Sequence, residues 1–357
     1  MIMLIALAIL SGLILTHELG HFLAAKAAGV PVKEVGLGYP PRLVTLGEWG
    51  GTLYTLNAIP FGGFVRLPFG RRGQISEEFA SQPKGVRLFV FLAGPAMNFL
   101  VAVLLFTVSF RMGVPVPVGF GGAEVVGVTS GWPAERVGVK VGDVILEVCG
   151  EVLEEVEGLR AAIQKCGEEE MPLWLERDEE SVMLRVSVPR VLPEEQRYIG
   201  VVVRARPAGM EMRQYSRWKP YVMGLLLGLR GLVVVAALPL LALCGRVPGE
   251  NIRLSGPVGV VLVVEEAAAQ VSKLGWFPLL QLTAVINLGL VVGNLLPIPA
   301  LDGGHIVLLA LEAIRGRRLS PGVERRVHLV GFAVLMALMV LVTYSDLVSE
   351  VPVIGWP

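Results

Sequence analysis

Apolar residues run almost without interruption from Ile2 to about Ala25, and the first charge in the chain is Glu18. At 1.5 Å per residue this run predicts a helix long enough to cross a bilayer. A second such run covers Leu88–Phe110 and contains Gly94-Pro95 and Asn98. A third covers Phe277–Leu296 and a fourth about Val327–Tyr344. Between the second and third the pattern changes. Residues 112–206 are polar and acid-rich with short β-branched runs, predicting strands at Glu124–Val128, Val141–Gly150, Pro172–Glu176, Val182–Val188 and Ile199–Val203 and a helix at Val156–Lys165. Thr52–Leu67 alternates in part, with Gly62-Gly63 placed as a turn, and reads as a short hairpin or an edge strand.

Tyr221–Cys244 is harder to place. It is apolar, but Arg230 and Pro239 leave a charge-free stretch of only 15 residues, Gly231–Gly245. If it spanned, the later helix would reverse and put Arg315, Arg317, Arg318, Arg325 and Arg326 outside, against the positive-inside rule. An interfacial or re-entrant segment is expected instead. The fold expected is a polytopic α-helical membrane protein of about four transmembrane helices with an inserted β-rich domain. Its parts are a first half of the membrane core (1–111), the β-rich insert (112–206), the interfacial segment and linker (207–275) and a second half of the core (276–357).

Composition sharpens this picture. In 357 residues, 54% are hydrophobic and 17% charged, and the mean hydropathy of +0.65 excludes an ordinary soluble enzyme. Net charge is zero, so nothing points to nucleic acid, and the partner implied by composition is the lipid bilayer. Residues 26–87 carry Lys26, Lys33, Arg42, Arg66, Arg71, Arg72, Lys84 and Arg87 against four acids, which assigns that loop to the cytoplasm and the N-terminus to the outside. The first apolar run lacks a basic n-region and a small-residue cleavage site, and is expected to be a retained helix. Cys149, Cys166 and Cys244 lack metal-site spacing. The first two either pair, if their domain faces an oxidising compartment, or are inert thiols.

The chemistry sits inside the first helix, in Thr16-His-Glu-Leu-Gly-His21. A carboxylic acid and two imidazoles at that depth are costly unless paired, and so mark a functional site. His17 and His21 are one helical turn apart on one face. Two imidazoles so placed can share a tetrahedral divalent ion, and Glu18 beside them can take a proton from water, the H-E-x-x-H arrangement of zinc hydrolases. A bland reading stays available: interhelical hydrogen-bonding histidines with a buried or proton-relaying acid. A catalytic zinc needs a third protein ligand and one open position. The third helix ends in Asn294-Leu-Leu-Pro-Ile-Pro-Ala-Leu-Asp302-Gly-Gly-His305, where Pro297 and Pro299 cannot continue a helix and Gly303-Gly304 permit unusual dihedrals. A backbone break at membrane depth is tolerated only when buried in protein or lining a wet cavity. Asp302 is the best third ligand, with His305 as its rival.

Taken together, HELGH (17–21), PFGGFVRL (60–67), AGPAMNF (93–99), LSGPVG (254–259) and NLLPIPALDGGH (294–305) resemble the site-2 protease family of intramembrane zinc metalloproteases, in its regulator-of-sigma-E-protease-like branch. The insert resembles a PDZ domain of bacterial type. The resemblance implies that His17, His21 and Asp302 hold Zn2+ and that Glu18 is the general base. It implies that Asn294 positions the substrate strand, and that Gly62, Gly63 and Phe64 belong to a hairpin engaging unwound substrate. It further implies regulated intramembrane proteolysis of single-span proteins, such as an anti-sigma factor or remnant signal peptides, pre-cleaved by a site-1 protease. The location implied is the inner (plasma) membrane, with the active site toward the cytoplasm and the PDZ-like domain outside. Three departures stand out: one PDZ-like domain where others have two, a wider Asn287–Asn294 spacing that leaves Asn287 without a role, and a longer apolar 221–244 stretch. Two other classes of function compete: an idle binding or chaperone protein working through its PDZ-like domain, and a proton or ion transporter using His17, Glu18 and Asp302 as a relay.

Overall fold

The computed structural model describes residues 2–66, 69–70, 74–75, 77–166, 170–178, 180–187, 199–243 and 256–348. Leu67, Arg71, Arg72, Val188, Cys244, Gly245, Leu254 and Ser255, which entered the sequence expectations, lie outside them. The chain forms two compact units, Val114–Arg213 and the remainder.

The first segments of the larger unit are α1 (Ile2–Ala27), β1 (Glu34–Trp49), β2 (Thr52–Arg66), β3 (Phe69–Gly70), β4 (Gln74–Ile75), α2 (Glu77–Ala80) and α3 (Lys84–Met112). β1 and β2 form a long antiparallel hairpin, and its turn corrects the expectation. Gly50-Gly51, with φ +56° and +69°, make the turn, while Gly62-Gly63 lie inside β2. Two glycines at positive φ are what a tight hairpin turn requires. Gly62, at φ +62°, marks a bulge that lets β2 double back. Residues 34–37 therefore sit between two stretches of β2, pairing with Leu53–Leu56 on one side and Gly63–Arg66 on the other. A side chain on Gly63 would meet the carbonyl of Gly36 at 2.7 Å and crowd Leu15 of α1. These glycines press the strand onto the helix that carries the histidines.

The second unit runs through β5 (Val114–Val118), β6 (Ala123–Val128), α4 (Pro133–Arg136), β7 (Val144–Val148), β8 (Glu151–Val152), α5 (Val156–Lys165), β9 (Glu170–Arg177), β10 (Glu180–Ser187), β11 (Val201–Ala205) and β12 (Gly209–Arg213). The main sheet has the order β10-β9-β7-β6-β11, and β5 pairs separately with β12. Alternate residues of these strands supply the core, with Val125, Ile145, Leu173 and Leu175 fully buried. Cys149 and Cys166 are joined by a disulfide. Asp143 is buried and takes two bonds from Arg177, at 2.7 and 2.6 Å, and one from the Lys140 N–H. Burial works to raise its carboxyl; the Arg177 guanidinium and the Lys140 N–H outweigh that and hold it below the usual carboxylate range. Edge strand β11 and α5 flank a groove of about 320 Å³ lined by Trp132, Leu159, Arg160, Ile163 and Val201.

The larger unit resumes with α6 (Lys219–Leu243), α7 (Pro257–Ala269), α8 (Val271–Leu274), α9 (Phe277–Leu295), α10 (Asp302–Arg315) and α11 (Pro321–Val348). Where an interfacial or re-entrant segment is expected, α6 is one uninterrupted 25-residue helix packed on its neighbours. Its small residues explain why. Added side chains at Gly224, Gly228 and Gly231 would collide with Thr107, Val103 and Leu288, so the stripe packs α6 directly on α3 and α9. Close backbone approach at a G-x-x-x-G stripe is a helix-pairing device of lipid-embedded helices. Arg230 lies exposed, off that stripe. Among the described residues, five helices are long and apolar enough to cross a membrane: Met3–Ala27, Lys84–Met112, Lys219–Ala237, Phe277–Leu295 and Gly322–Val348.

Candidate active site

Each expected site residue is positioned by a close crossing. Gly20 lets α1 meet α3 at Ala93, because a Cβ there would strike the Ala93 backbone. That crossing points His17 and His21 at α3 opposite Gly94. On the other side α9 stops at Leu295, residues 296–301 turn, and α10 starts at Asp302. Gly303 and Gly304 correct the expectation of unusual dihedrals. Both are helical, and they are needed because a side chain would run into the carbonyls of Leu295, Leu296 and Ile298. The strained residue of the break is Ala300, at φ +86°. Asp302 thus opens a helix, where the unbonded N–H groups favour a carboxylate. Arg87 of α3, itself buried, binds Glu312 of α10 through two bonds of 2.9 and 2.6 Å and fixes α10 against α3.

Three donor atoms converge. His17 Nε2 and His21 Nε2 are 3.1 Å apart, and Asp302 Oδ2 lies 3.1 Å from the first and 3.4 Å from the second. A tetrahedral zinc with ligands at about 2.0–2.1 Å separates its donors by about 3.3 Å, so the triangle fits one ion. Asp302 Oδ2 is buried without a hydrogen-bond donor, as expected of an oxygen that faces a cation. Gly94 supplies a further test: an added Cβ would lie 2.7 Å from His17 Nε2 and closer still to His21 Nε2. The space beside the donors is thus kept open by a missing side chain.

The outer nitrogens are set by their partners. His21 Nδ1 is 2.8 Å from the Val90 carbonyl, so it carries the proton and leaves Nε2 free to bind a metal. His17 Nδ1 lies 3.4 Å from the Asn98 amide, whose other end is 3.4 Å from Thr16 Oγ1. The single Thr16 hydroxyl proton goes to the Leu13 carbonyl at 2.9 Å, so toward Asn98 this hydroxyl accepts. As placed, Asn98 Nδ2 faces His17 Nδ1 and its Oδ1 faces Thr16; turned end for end, the amide would give its carbonyl to His17 Nδ1–H and its NH2 to Thr16, which would leave His17 Nε2 free for a metal as well. Asn287, fully buried, donates to the Asn98 backbone carbonyl at 2.7 Å and so gains a role that the sequence left open. His305 is not in the triangle. Its ring stacks on Phe91, centroids 4.9 Å apart.

Glu18 Oε2 accepts the Val65 N–H at 2.9 Å. Arg66 turns its carbonyl to Lys33 of the neighbouring strand stretch, so Val65, next along, faces away from that pairing and toward α1. These groups line a cavity of about 410 Å³ that also contains Ile14, Tyr39, Phe64 and Asn294. Phe64 and Asn294, both anticipated, therefore face the same space as Glu18. Gly62 and Gly63 are not lining residues; they hold β2 against α1.

Three donor atoms that could hold one metal ion beside a carboxylate, on helices apolar enough for a bilayer, fit a membrane-embedded metallopeptidase. The chain belongs to peptidase family M50, the site-2 protease family, whose profile matches residues 5–338. It is an intramembrane zinc metalloprotease. A Clostridium perfringens protein, named provisionally as a zinc metalloprotease, is 30% identical over 98% of this chain and 100% of its own length. Zinc metalloprotease RasP of Oceanobacillus iheyensis is 27% identical over 94% of this chain and 96% of itself. Regulator of sigma-W protease RasP of Bacillus subtilis is 27% identical over 94% and 95%. The PDZ domain of an SdrC-like protein of Listeria monocytogenes covers 25% of this chain at 19% identity and a TM-score of 0.21, a likeness that carries no argument.

Proposed function

We propose that the protein cleaves the membrane segments of single-span proteins in regulated intramembrane proteolysis, with His17, His21 and Asp302 holding Zn2+ and Glu18 as general base. The carrying observation is the convergence of three donor atoms within 3.1–3.4 Å of one another beside a carboxylate, in a wet-sized cavity. Bound zinc supplies a Lewis acid that polarises a carbonyl and brings the pKa of water toward about 7. Glu18 takes the proton from the attacking water and passes it to the leaving amine. The Val65 N–H holds Glu18 toward the cavity during that exchange. A membrane helix has its amides bonded internally, so it must unwind to be cut, and β2, whose Phe64 and Val65 line the cavity, could hold the extended segment by strand addition. Asn294, which lines the same cavity, would bond the same segment. Helix-breaking residues in a substrate then favour cleavage.

The β-rich unit, 114–213, acts on this reading as an extracytoplasmic filter. Its disulfide suits an oxidising compartment, and the groove between α5 and β11 suits an extended chain end. The basic excess of residues 26–87 supports an active site toward the cytoplasmic face of the inner (plasma) membrane. The sigma-W regulation in the name of the Bacillus subtilis relative supports a substrate of anti-sigma type, first shortened by a site-1 protease; remnant signal peptides are the second substrate class. The test uses purified enzyme and two single-span reporters that differ only in the size of their outer portion. The shortened reporter is expected to be cut inside its apolar segment and the full-length one spared. Equal cleavage of both would remove the filtering role. Cleavage confined to the soluble parts of either would remove the intramembrane one.

A further inference from the structure

Asp302 reaches the two histidines from the end of a broken segment, and nothing in 296–301 is regular helix. Its internal bonds are few: Ile298 N–H to the Leu296 carbonyl at 2.7 Å and Leu301 N–H to the Ile298 carbonyl at 3.1 Å. Ala300 in its centre sits at φ +86°, a conformation costly for a residue with a Cβ and kept only where the surroundings enforce it. The enforcing element is α11. His328 Nδ1 accepts the Ala300 N–H at 3.1 Å. One turn further along α11, Gly331 packs so tightly on Pro299 that a Cβ would collide with the Pro299 carbonyl. The helix therefore grips two consecutive residues just ahead of Asp302.

We infer that His328 is a positioning residue for the zinc site: by holding the Ala300 N–H it keeps the break in the form that delivers Asp302 Oδ2 to His17 and His21. This rests on the reading of Asp302 as a ligand and adds to it a residue outside the cavity. His305, Glu324 and His328 also bring donor atoms within 4.8 Å of one another, a grouping that could pass for a second metal site. The Ala300 bond argues against His328 as a ligand there, although its Nε2 is buried without a hydrogen-bond partner. A neutral ring that accepts at Nδ1 carries its proton at Nε2, and so has no lone pair left for a cation. His328 instead ends a stack in which its ring lies 4.4 Å from that of His305, which in turn covers Phe91.

The test compares His328→Asn, whose Oδ1 stands where Nδ1 did and still accepts, with His328→Leu, which cannot. Zinc affinity is measured by chelator competition on the full-length protein in detergent, with zinc content per chain and thermal unfolding alongside. His328→Leu is expected to bind zinc about 10-fold or more weakly, the usual effect of losing a ligand's supporting bond. His328→Asn is expected to stay near wild type, and every protein to load a single zinc. If His328→Leu does not purify folded, His328→Gln replaces it, being polar but without an oxygen at the Nδ1 position. Equal affinity for the Asn and Leu (or Gln) variants overturns the inference, as does a second zinc lost with His328. Asp302→Asn is measured in parallel. Wild-type affinity there overturns the ligand reading and this inference together; weak binding there with an unaffected His328→Leu overturns this inference alone.

Discussion

Glu18→Gln is expected to keep full zinc content and to cut a single-span reporter about 10²- to 10⁴-fold more slowly than wild type, the range associated with losing a general acid–base group. The substitution preserves shape. A glutamine carbonyl can still accept the Val65 N–H now bonded at 2.9 Å, so β2 and α1 keep their contact. What the amide lacks is basicity. It cannot take a proton from water at neutral pH, whereas the three donor atoms on His17, His21 and Asp302 are untouched. Rates measured on zinc-loaded protein, with metal analysis of the same sample, separate the two effects. Cleavage at the wild-type rate would remove Glu18 from the chemistry, whereas no cleavage by either protein would favour the idle-binder reading instead.

Gly94→Ala should have the opposite profile, intact folding and lost metal. Alanine favours a helix interior by roughly 1 kcal/mol over glycine, so α3 by itself would not suffer. The added methyl would nevertheless stand 2.7 Å from His17 Nε2 and nearer to His21 Nε2, in the space that the ion needs. Neither ring can swing aside freely, because His21 is tied to Val90 and His17 to Asn98. Zinc content is expected to fall from one ion per chain to a small fraction, and reporter cleavage with it, while helix content by circular dichroism is unchanged. Full zinc loading of Gly94→Ala would show that the ion sits elsewhere.

How far the sequence could be read depended on whether a feature was local. The spacing of His17 and His21 follows from helical periodicity, and the Pro297/Pro299 break marks Asp302 as an ionisable group on irregular backbone. Both could be read from the chain itself. The sequence itself favours Asp302 over His305, and the fold adds that the His305 ring turns to Phe91. Gly50-Gly51 and Gly62-Gly63 are equivalent as letters; which pair turns the hairpin is set by where β1 finds its register. In α6 the letters pull two ways: Arg230 and Pro239 speak against a span, and Gly224-x-x-x-Gly228 speaks for close packing on other helices. Gly94, Asn98 and Asn287 are informative only through residues far along the chain. A glycine needed for a neighbour's approach looks like any other until that neighbour is known.

The most direct measurement is X-ray absorption at the zinc edge of the purified, active protein. The ion should show nitrogen and oxygen neighbours at about 2.0–2.1 Å, with outer-shell scattering from two imidazoles and no sulfur. His21→Ala should remove one imidazole contribution. A sulfur shell near 2.3 Å, or an imidazole count that His21→Ala leaves unchanged, would contradict the site drawn by His17, His21 and Asp302.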